Sequence, residues 1–363
     1  MFGFSIFLNE ALTDETLAYM KAMREAGFAG IFSSIHIPED DDGPILERLK
    51  DLGDFVKAQE MELVIDISGD ALTKLGLNFE DVSPLITWGI TGLRMDYGIS
   101  NQVIADLSHQ LTIALNASTI SEKDLLELKT ANADFTRMEA WHNYYPRPET
   151  GLGSREFAQQ NQWLAANGFT VMTFVPGDHK LRGPLFEGLP TLEKHRGRHP
   201  FVAALDMKKM DTIDKIYIGD PQVSQPIMEL FQAYIENDVL KLSAKRTVAA
   251  TVEEATKVQK QITGLSGLHS NRMDAARDSI RSAEARGRKN QPIEPLNTIS
   301  DRPIGTITID NELYGRYAGE VQITKKNLPA DQRINVLGRL TEASRDLVNY
   351  CGPGQTFEII WEE

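Results

Sequence analysis

The sequence predicts an α/β protein with a (β/α)₈ TIM barrel over residues 1–240 and a smaller β-rich domain over residues 241–363. Three observations carry this. From the start to about residue 240, short apolar runs rich in β-branched and aromatic residues alternate with longer segments of helical period. Eight such strand–helix units fit the roughly 250 residues that a barrel of this kind takes, whereas a doubly wound sheet would show fewer strands and a glycine-rich first turn. Past residue 240 the alternation gives way to a basic helical pattern and then to separate strand-like runs.

The eight runs are Phe2 to Leu8, Gly30 to Ile35, Glu62 to Ser68, Gly92 to Tyr97, Thr112 to Ser118, Phe135 to Trp141, Thr170 to Val175 and Lys215 to Gly219. Between them, Asp14 to Ala26 places Leu17, Met20 and Met23 on one face, and Ile45 to Gln59 does the same with Leu46, Leu49, Leu52 and Val56, so both predict amphipathic helices. Thr13, Ser121 and Ser154 stand where N-caps are wanted, and Gly27 and Gly168 where helices stop. In the second domain, residues 252–290 include Arg272, Arg277, Arg281, Arg286 and Arg288. This cluster reads as a solvated helical face, a contact to the acidic barrel or an anion-binding surface. Strand-like runs follow at Gly305 to Ile309, Glu320 to Thr324 and Thr356 to Trp361, with a helical segment around Glu342 to Tyr350.

Composition narrows the function. Of 363 residues, 41% are hydrophobic and 25% charged, enough to bury a sizeable core. Against 52 acidic residues stand 38 Lys plus Arg, a net charge of −14, which disfavours nucleic acid and anionic membrane surfaces but leaves room for a locally basic pocket. The single cysteine, Cys351, excludes an intrachain disulfide and any cysteine-rich metal site. The first residues lack a basic n-region, and no stretch nears the ~20 apolar residues of a membrane span, so a soluble, cytoplasmic protein is expected. The fingerprints GxGxxG, GxxxxGK[ST], HExxH and GxSxG are missing. No Schiff-base lysine stands at a strand end, and although His36, His142 and His179 could meet aspartates, no H-x-H pair ends strand one; no cofactor and no metal are expected.

Barrel enzymes carry their chemistry at the C-terminal strand ends, and those ends are polar here. Side chains alternate along a strand, so Asp66, Asp96, Asn116 and Glu139, if inward, converge on one pocket. Isolated, each of these carboxylates would more simply cap a helix or pair with an arginine, as Arg94 with Asp96; four residues on separate strands argue for use. Glu139 is the first choice for acid or base, with Trp141 and Tyr144 close behind it to stack on a sugar ring, Asp96 is the second and Asp66 the third. Ser34, His36, Asn116, His142, Asn143 and Tyr144 are candidate substrate contacts, as are Asp178 and Asp220 after strands seven and eight. The loop Pro146 to Gly151 either closes on substrate through Arg147 and Glu149 or is a rigid surface loop. The seventh loop joins glycines with Lys180 and Arg182, a composition suited to phosphate. His195-Arg-Gly-Arg198 reads as a less specific basic turn.

Several of these segments resemble a bacterial family. Phe32-Ser-Ser-Ile-His-Ile-Pro-Glu-Asp-Asp41, Gly92 to Gly98, Leu115 to Thr119, Met138 to Leu152 and Arg182 to Thr191 are similar to those of the MupG-like 6-phospho-N-acetylmuramidases. So are His269-Ser-Asn-Arg272, Ala276 to Ser282 and Leu328 to Arg333, which extends the resemblance over nearly the whole chain. It implies a C-terminal cyclophilin-like β-barrel domain and a cytoplasmic glycosidase of cell-wall recycling. The substrate implied is a phosphorylated amino-sugar disaccharide, MurNAc 6-phosphate-GlcNAc, delivered by phosphotransferase uptake and cut to MurNAc 6-phosphate and GlcNAc. Two other readings stand beside it: a phosphosugar isomerase or lyase on the same barrel, and a non-catalytic phosphosugar sensor. A homo-oligomer is left open.

Overall fold

The computed structural model of the chain describes residues 1–34, 45–67, 72, 77–95, 98–249, 251–287, 292–296 and 300–362. Eight parallel strands close into a barrel in sequence order: β1 (Phe2–Ser5), β2 (Gly30–Ser34), β3 (Glu62–Ile67), β4 (Gly92–Met95), β5 (Thr112–Asn116), β6 (Met138–Trp141), β7 (Thr170–Val175) and β8 (Lys215–Ile218). The helices that return the chain after each strand are α1 (Asp14–Glu25), α2 (Ile45–Gln59), α3 (Ser83–Thr87), α4 (Asn101–Ser108), α5 (Glu122–Thr130), α6 (Ser154–Ala166), α7 (Pro200–Lys208) and α8 (Gln225–Asn237). All eight strand runs read from the sequence are strands of this barrel.

Local chemistry sets the element ends. Thr13 accepts the Thr16 N–H at 3.2 Å to start α1, and Ser121 with Asp124 forms a full capping box on α5. α1 stops at Gly27, whose φ of 91° lets Phe28 N–H reach back to the Met23 carbonyl at 3.1 Å. Two boundaries differ from expectation. Asp134 accepts from Thr136 N–H at 3.0 Å and folds Phe135–Arg137 into a 3₁₀ turn, so β6 begins only at Met138. Ser154 is the first residue of α6 rather than its cap, a place taken by Gly153.

Inside the barrel, large side chains meet small ones. Phe32, Val64, Ala114, Trp141, Met172, Phe174 and Tyr217 form one buried cluster. The Tyr217 ring lies over Gly3 and Gly30, where an added β-carbon would come within 2.4 Å of the ring and 2.0 Å of its hydroxyl oxygen, respectively. Only glycine fits at either position.

The chain divides into two compact units, Met1–Glu229 and Leu230–Glu363. The second holds a nearly closed, barrel-like sheet of seven strands: β9 (Val239–Arg246), β10 (Leu268–Ser270), β11 (Ser279–Arg281), β12 (Thr306–Asp310), β13 (Val321–Thr324), β14 (Ile334–Leu340) and β15 (Thr356–Glu362), in the order β10-β15-β9-β14-β12-β13-β11. β9, β10, β11 and β14 were not among the expected strands. Helix α9 (Val252–Thr263) lays Val258 and Ile262 on this sheet against Ile309, Val321 and Leu337. The basic cluster is not a helical face: α9 ends at Thr263, and Arg272 and Arg281 lie in the strand region beyond it, paired with Asp274 and Glu320, while Arg277 pairs with Asp278. Arg288 lies outside the described residues.

Gly30→Ala should destabilise the barrel by about 1–3 kcal/mol through overpacking against Tyr217. Tyr217→Phe should be neutral or stabilising, because the buried hydroxyl has no hydrogen-bond partner among the described residues. Urea unfolding midpoints check both, and a Gly30→Ala midpoint equal to the wild type would contradict the packing account.

Candidate active site

Register decides which charges meet. In the β3–β4 ladder Asp66 stands directly opposite Arg94, and the arginine, only 6% exposed, donates to Asp66 Oδ1 at 2.7 Å. A guanidinium so buried needs acceptors on more than one edge, and its second goes to Asn143 Oδ1, 2.5 Å away, just past β6. Asp66, Arg94 and Asn143 therefore meet at the C-terminal mouth.

Tyr144 follows. Its ring packs on Phe174 and Phe32 at centroid distances of 5.1 and 6.3 Å, and its hydroxyl accepts from Arg182 Nη1 at 2.5 Å. Burial raises the phenol above its ordinary pKa. Arg182 also lies 4.1 Å above the Phe7 ring. Its loop is organised by Asp220, a fully buried carboxylate that accepts N–H groups from Gly177, Leu189 and Arg182 at 2.8, 2.9 and 3.1 Å. Burial raises the Asp220 carboxyl against the pull of those three amides. A cleft of about 280 Å³ opens beside this loop, lined by Phe7 and Glu10 after β1, Lys180 and Arg182 after β7 and Gln222 after β8. On its exposed rim Lys180 pairs with Glu10 at 3.4 Å.

A second latch was not foreseen. Arg196 binds Glu193 through Nε at 2.7 Å and Nη2 at 2.8 Å, and donates to the carbonyls of Glu187, Gly188, Tyr145 and Arg147. Glu193, held down to about 2 chiefly by the Arg196 hydrogen bond, accepts the Glu149 and Gly151 N–H groups. This ion pair ties the loops after β6 and β7 together. Its sequence signal was the basic turn at Arg196, where the partner three residues earlier gave the meaning. Arg147 and Glu149 keep exposed side chains on a loop held through its backbone.

Other expected contacts sit elsewhere. Glu139 does not converge with Asp66: it lies at the opposite, N-terminal end of the barrel, 6% exposed, 2.7 Å from Lys215 Nζ and bonded to the Trp141 indole N–H at 2.6 Å. Lys215 also reaches Glu62 at 2.6 Å. Burial alone would lower the lysine pKa, but the two carboxylates outweigh it and raise the value. The aromatic layer of Trp141, Phe32, Phe174 and Tyr217 fills the barrel between this cluster and the mouth. His142, in the outward phase after Trp141, bonds Asn161 on α6 at 2.6 Å and packs 4.5 Å from Phe157, behind the barrel wall. Asp178 accepts the Ser224 N–H and hydroxyl and so fixes the residue that precedes α8. The Asn116 carboxamide oxygen accepts the Ser118 N–H at 3.0 Å at the end of β5. Ser34, 7% exposed, stands opposite Asp66 on β2. His36 and Asp96 lie outside the described residues. Among the described residues no three His, Cys, Asp or Glu groups are placed to hold a metal ion, and no helix is long and apolar enough to cross a membrane.

Comparison with known proteins decides the family. The descriptions "6-phospho-N-acetylmuramidase, N-terminal" and "6-phospho-N-acetylmuramidase, C-terminal" match residues 2–233 and 247–360. The chain belongs to the 6-phospho-N-acetylmuramidase family. Among solved structures it is similar to a conserved Enterococcus faecalis protein of unknown function, with 44% identity and a TM-score of 0.90 over 100% of this chain and 96% of that one. It is also similar to an uncharacterized B. cereus protein, with 25% identity and a TM-score of 0.74 over 99% of each chain. No curated protein matches it. Both units of the chain thus carry the muramidase family's match, each in its own half.

Two substitutions test the placements away from the mouth. Lys215→Met leaves Glu139 buried and unpaired and should cost about 3–5 kcal/mol. The raised lysine pKa means that the wild-type contribution is complete below pH 10.5 and is lost as pH rises beyond it, so the wild-type minus variant stability difference should shrink only in strong base. His142 is pushed from 6.5 to about 4 by burial, so its neutral form stabilises the fold above pH 6.5 and this is lost as pH falls towards 4. His142→Gln should remove that part of the acid slope in chemical denaturation curves between pH 4 and 7; an unchanged slope would contradict the buried placement.

Proposed function

We propose that this protein is a cytoplasmic glycoside hydrolase that cleaves MurNAc 6-phosphate-GlcNAc to MurNAc 6-phosphate and GlcNAc in cell-wall recycling. The observation that carries this reading is the cleft beside the loops after β7 and β8, where Lys180 and Arg182 present cationic donors in an otherwise acidic chain. Barrels commonly hold phosphate at this position. The family supplies the glycosidic reaction, and the adjoining mouth supplies groups suited to a sugar: the Asp66 carboxylate, the Asn143 carboxamide and the Tyr144 phenol, on an aromatic floor of Phe32 and Phe174.

In this reading Asp66 and Asp96 are the carboxylates that act as acid and base or nucleophile, and Ser34, Asn116, Asn143 and Tyr144 contact the sugar. A 2-acetamido group that serves as internal nucleophile would need one carboxylate to orient it and one to protonate the leaving oxygen. Asp220 acts through the loop it holds, and Glu139 through the barrel it braces.

Incubating the purified protein with MurNAc-GlcNAc, with and without the 6-phosphate, and detecting products by mass spectrometry tests the proposal. Cleavage of the phosphorylated disaccharide alone, reduced at least ~10²-fold by Asp66→Asn, is expected. No cleavage of either sugar would sink it and bring the phosphosugar-binding reading forward.

A further inference from the structure

Arg182 belongs to two places at once. Its guanidinium lines the anion cleft, where it lies on the Phe7 ring, and its Nη1 reaches the barrel mouth at Tyr144. A guanidinium has only donors, so the Tyr144 oxygen accepts, and the phenolic proton must point away from Arg182. Among the described residues this is the only hydrogen bond of the hydroxyl. The ring itself is wedged against Phe32 and Phe174 at the mouth end of the aromatic layer. Its neighbour in the chain, Asn143, accepts from Arg94, which donates in turn to Asp66, so the phenol follows directly on the Asp66–Arg94 pair. Burial raises the phenol further above its ordinary value, so it is a neutral donor rather than a phenolate.

We propose that Tyr144 donates its hydroxyl proton in a hydrogen bond to the bound sugar at the mouth, and that Arg182 makes this donor depend on the 6-phosphate. The inference rests on the hydrolase reading above. An oxyanion in the cleft takes the remaining donor edge of Arg182 in charge-assisted bonds and fixes the guanidinium in its plane. The fixed guanidinium holds the Tyr144 oxygen, which holds the O–H direction; a donor preorganised in this way stabilises charge that develops in the transition state more than it binds the ground state. The phosphate therefore raises kcat as well as affinity. Arg182 is the positioning residue, and Asp220 positions Arg182 in turn.

The test is steady-state cleavage of the phosphorylated and unphosphorylated disaccharides by the wild type, Tyr144→Phe and Arg182→Gln, with phosphite dianion added to the unphosphorylated sugar as a separate activator. Tyr144→Phe keeps the ring, and its thermal unfolding is recorded alongside to verify the fold. Expected for Tyr144→Phe is a fall of about 10²-fold in kcat on the phosphorylated sugar with KM changed less than about threefold. Phosphite should accelerate the wild type on the unphosphorylated sugar, and neither variant. A Tyr144→Phe protein with wild-type kcat, a phosphite response that survives in it, or a wild type that ignores phosphite overturns the inference alone. A wild type that cleaves neither sugar overturns the hydrolase reading and this inference with it.

Discussion

The rest of the barrel depends on how its interior is filled. Eight strands enclose a space that side chains must occupy. Tyr217 lies across the gap that Gly3 and Gly30 leave, and Trp141, Phe32 and Phe174 complete an aromatic layer around it. Because that layer is buried and mostly apolar, unpaired charge within it would be costly, and the inward-facing ionisable residues lie at the two ends. Lys215, Glu139 and Glu62 form one set, and Arg94 and Asp66 the other. In each set the buried charges face opposite ones, Lys215 against Glu139 and the more exposed Glu62, and Arg94 against Asp66. The two ends differ in consequence: one is closed by its ion pairs and braces the barrel, whereas the other adjoins loops and a cleft.

Those loops are held as firmly as the strands. A fully buried aspartate gathers three backbone amides of the seventh loop, and the Glu193–Arg196 pair joins that loop to the sixth through backbone carbonyls and amides. Nearly all of these bonds end on main-chain atoms, so they specify loop path rather than side-chain identity. The side chains proposed to meet a ligand, Arg182, Lys180, Tyr144 and Asn143, project from backbone that is already fixed, which would lower the ordering cost of binding.

In the second unit, the segments that resemble the family's C-terminal half prove to be largely structural. Asn271 bonds the Cys351 and Gly352 carbonyls and the Arg281 N–H, joining β10, β11 and the turn before β15. His269 stacks on Phe357 and bonds Ser282 and the Leu265 carbonyl. Arg272 and Arg281 are neutralised by Asp274 and Glu320, and Arg333 by Asp331. Among the described side chains, Arg272, Arg277 and Arg281 of the cluster that reads as basic in the sequence each meet a carboxylate.

Periodicity determined a good deal by itself. The alternation of apolar runs with helical segments yielded all eight barrel strands, and the residue types after strands seven and eight marked Lys180, Arg182 and Asp220 as candidate site residues, whereas it took the tertiary structure to show Asp220 holding the Arg182 loop. In the second domain four strands went unread: Leu268–Ser270 and Ser279–Arg281 because each is only three residues long, Val239–Arg246 because Lys241, Lys245 and Arg246 interrupt its apolar residues, and Ile334–Leu340 because its glycine and arginine break the apolar run. Only the tertiary structure decided how far along the barrel axis each inward residue stands. A period of two states which face a side chain takes but not its height, so Glu139 and Asp66, alike in phase, lie at opposite ends. Height follows from strand stagger: β6 starts at Met138 after a 3₁₀ turn, so Glu139 enters at the closed end and Asn143, past the strand, reaches the mouth. Partner choice is tertiary for the same reason: Arg94 meets Asp66 because the β3–β4 register sets them opposite each other, a relation between residues 28 positions apart in sequence.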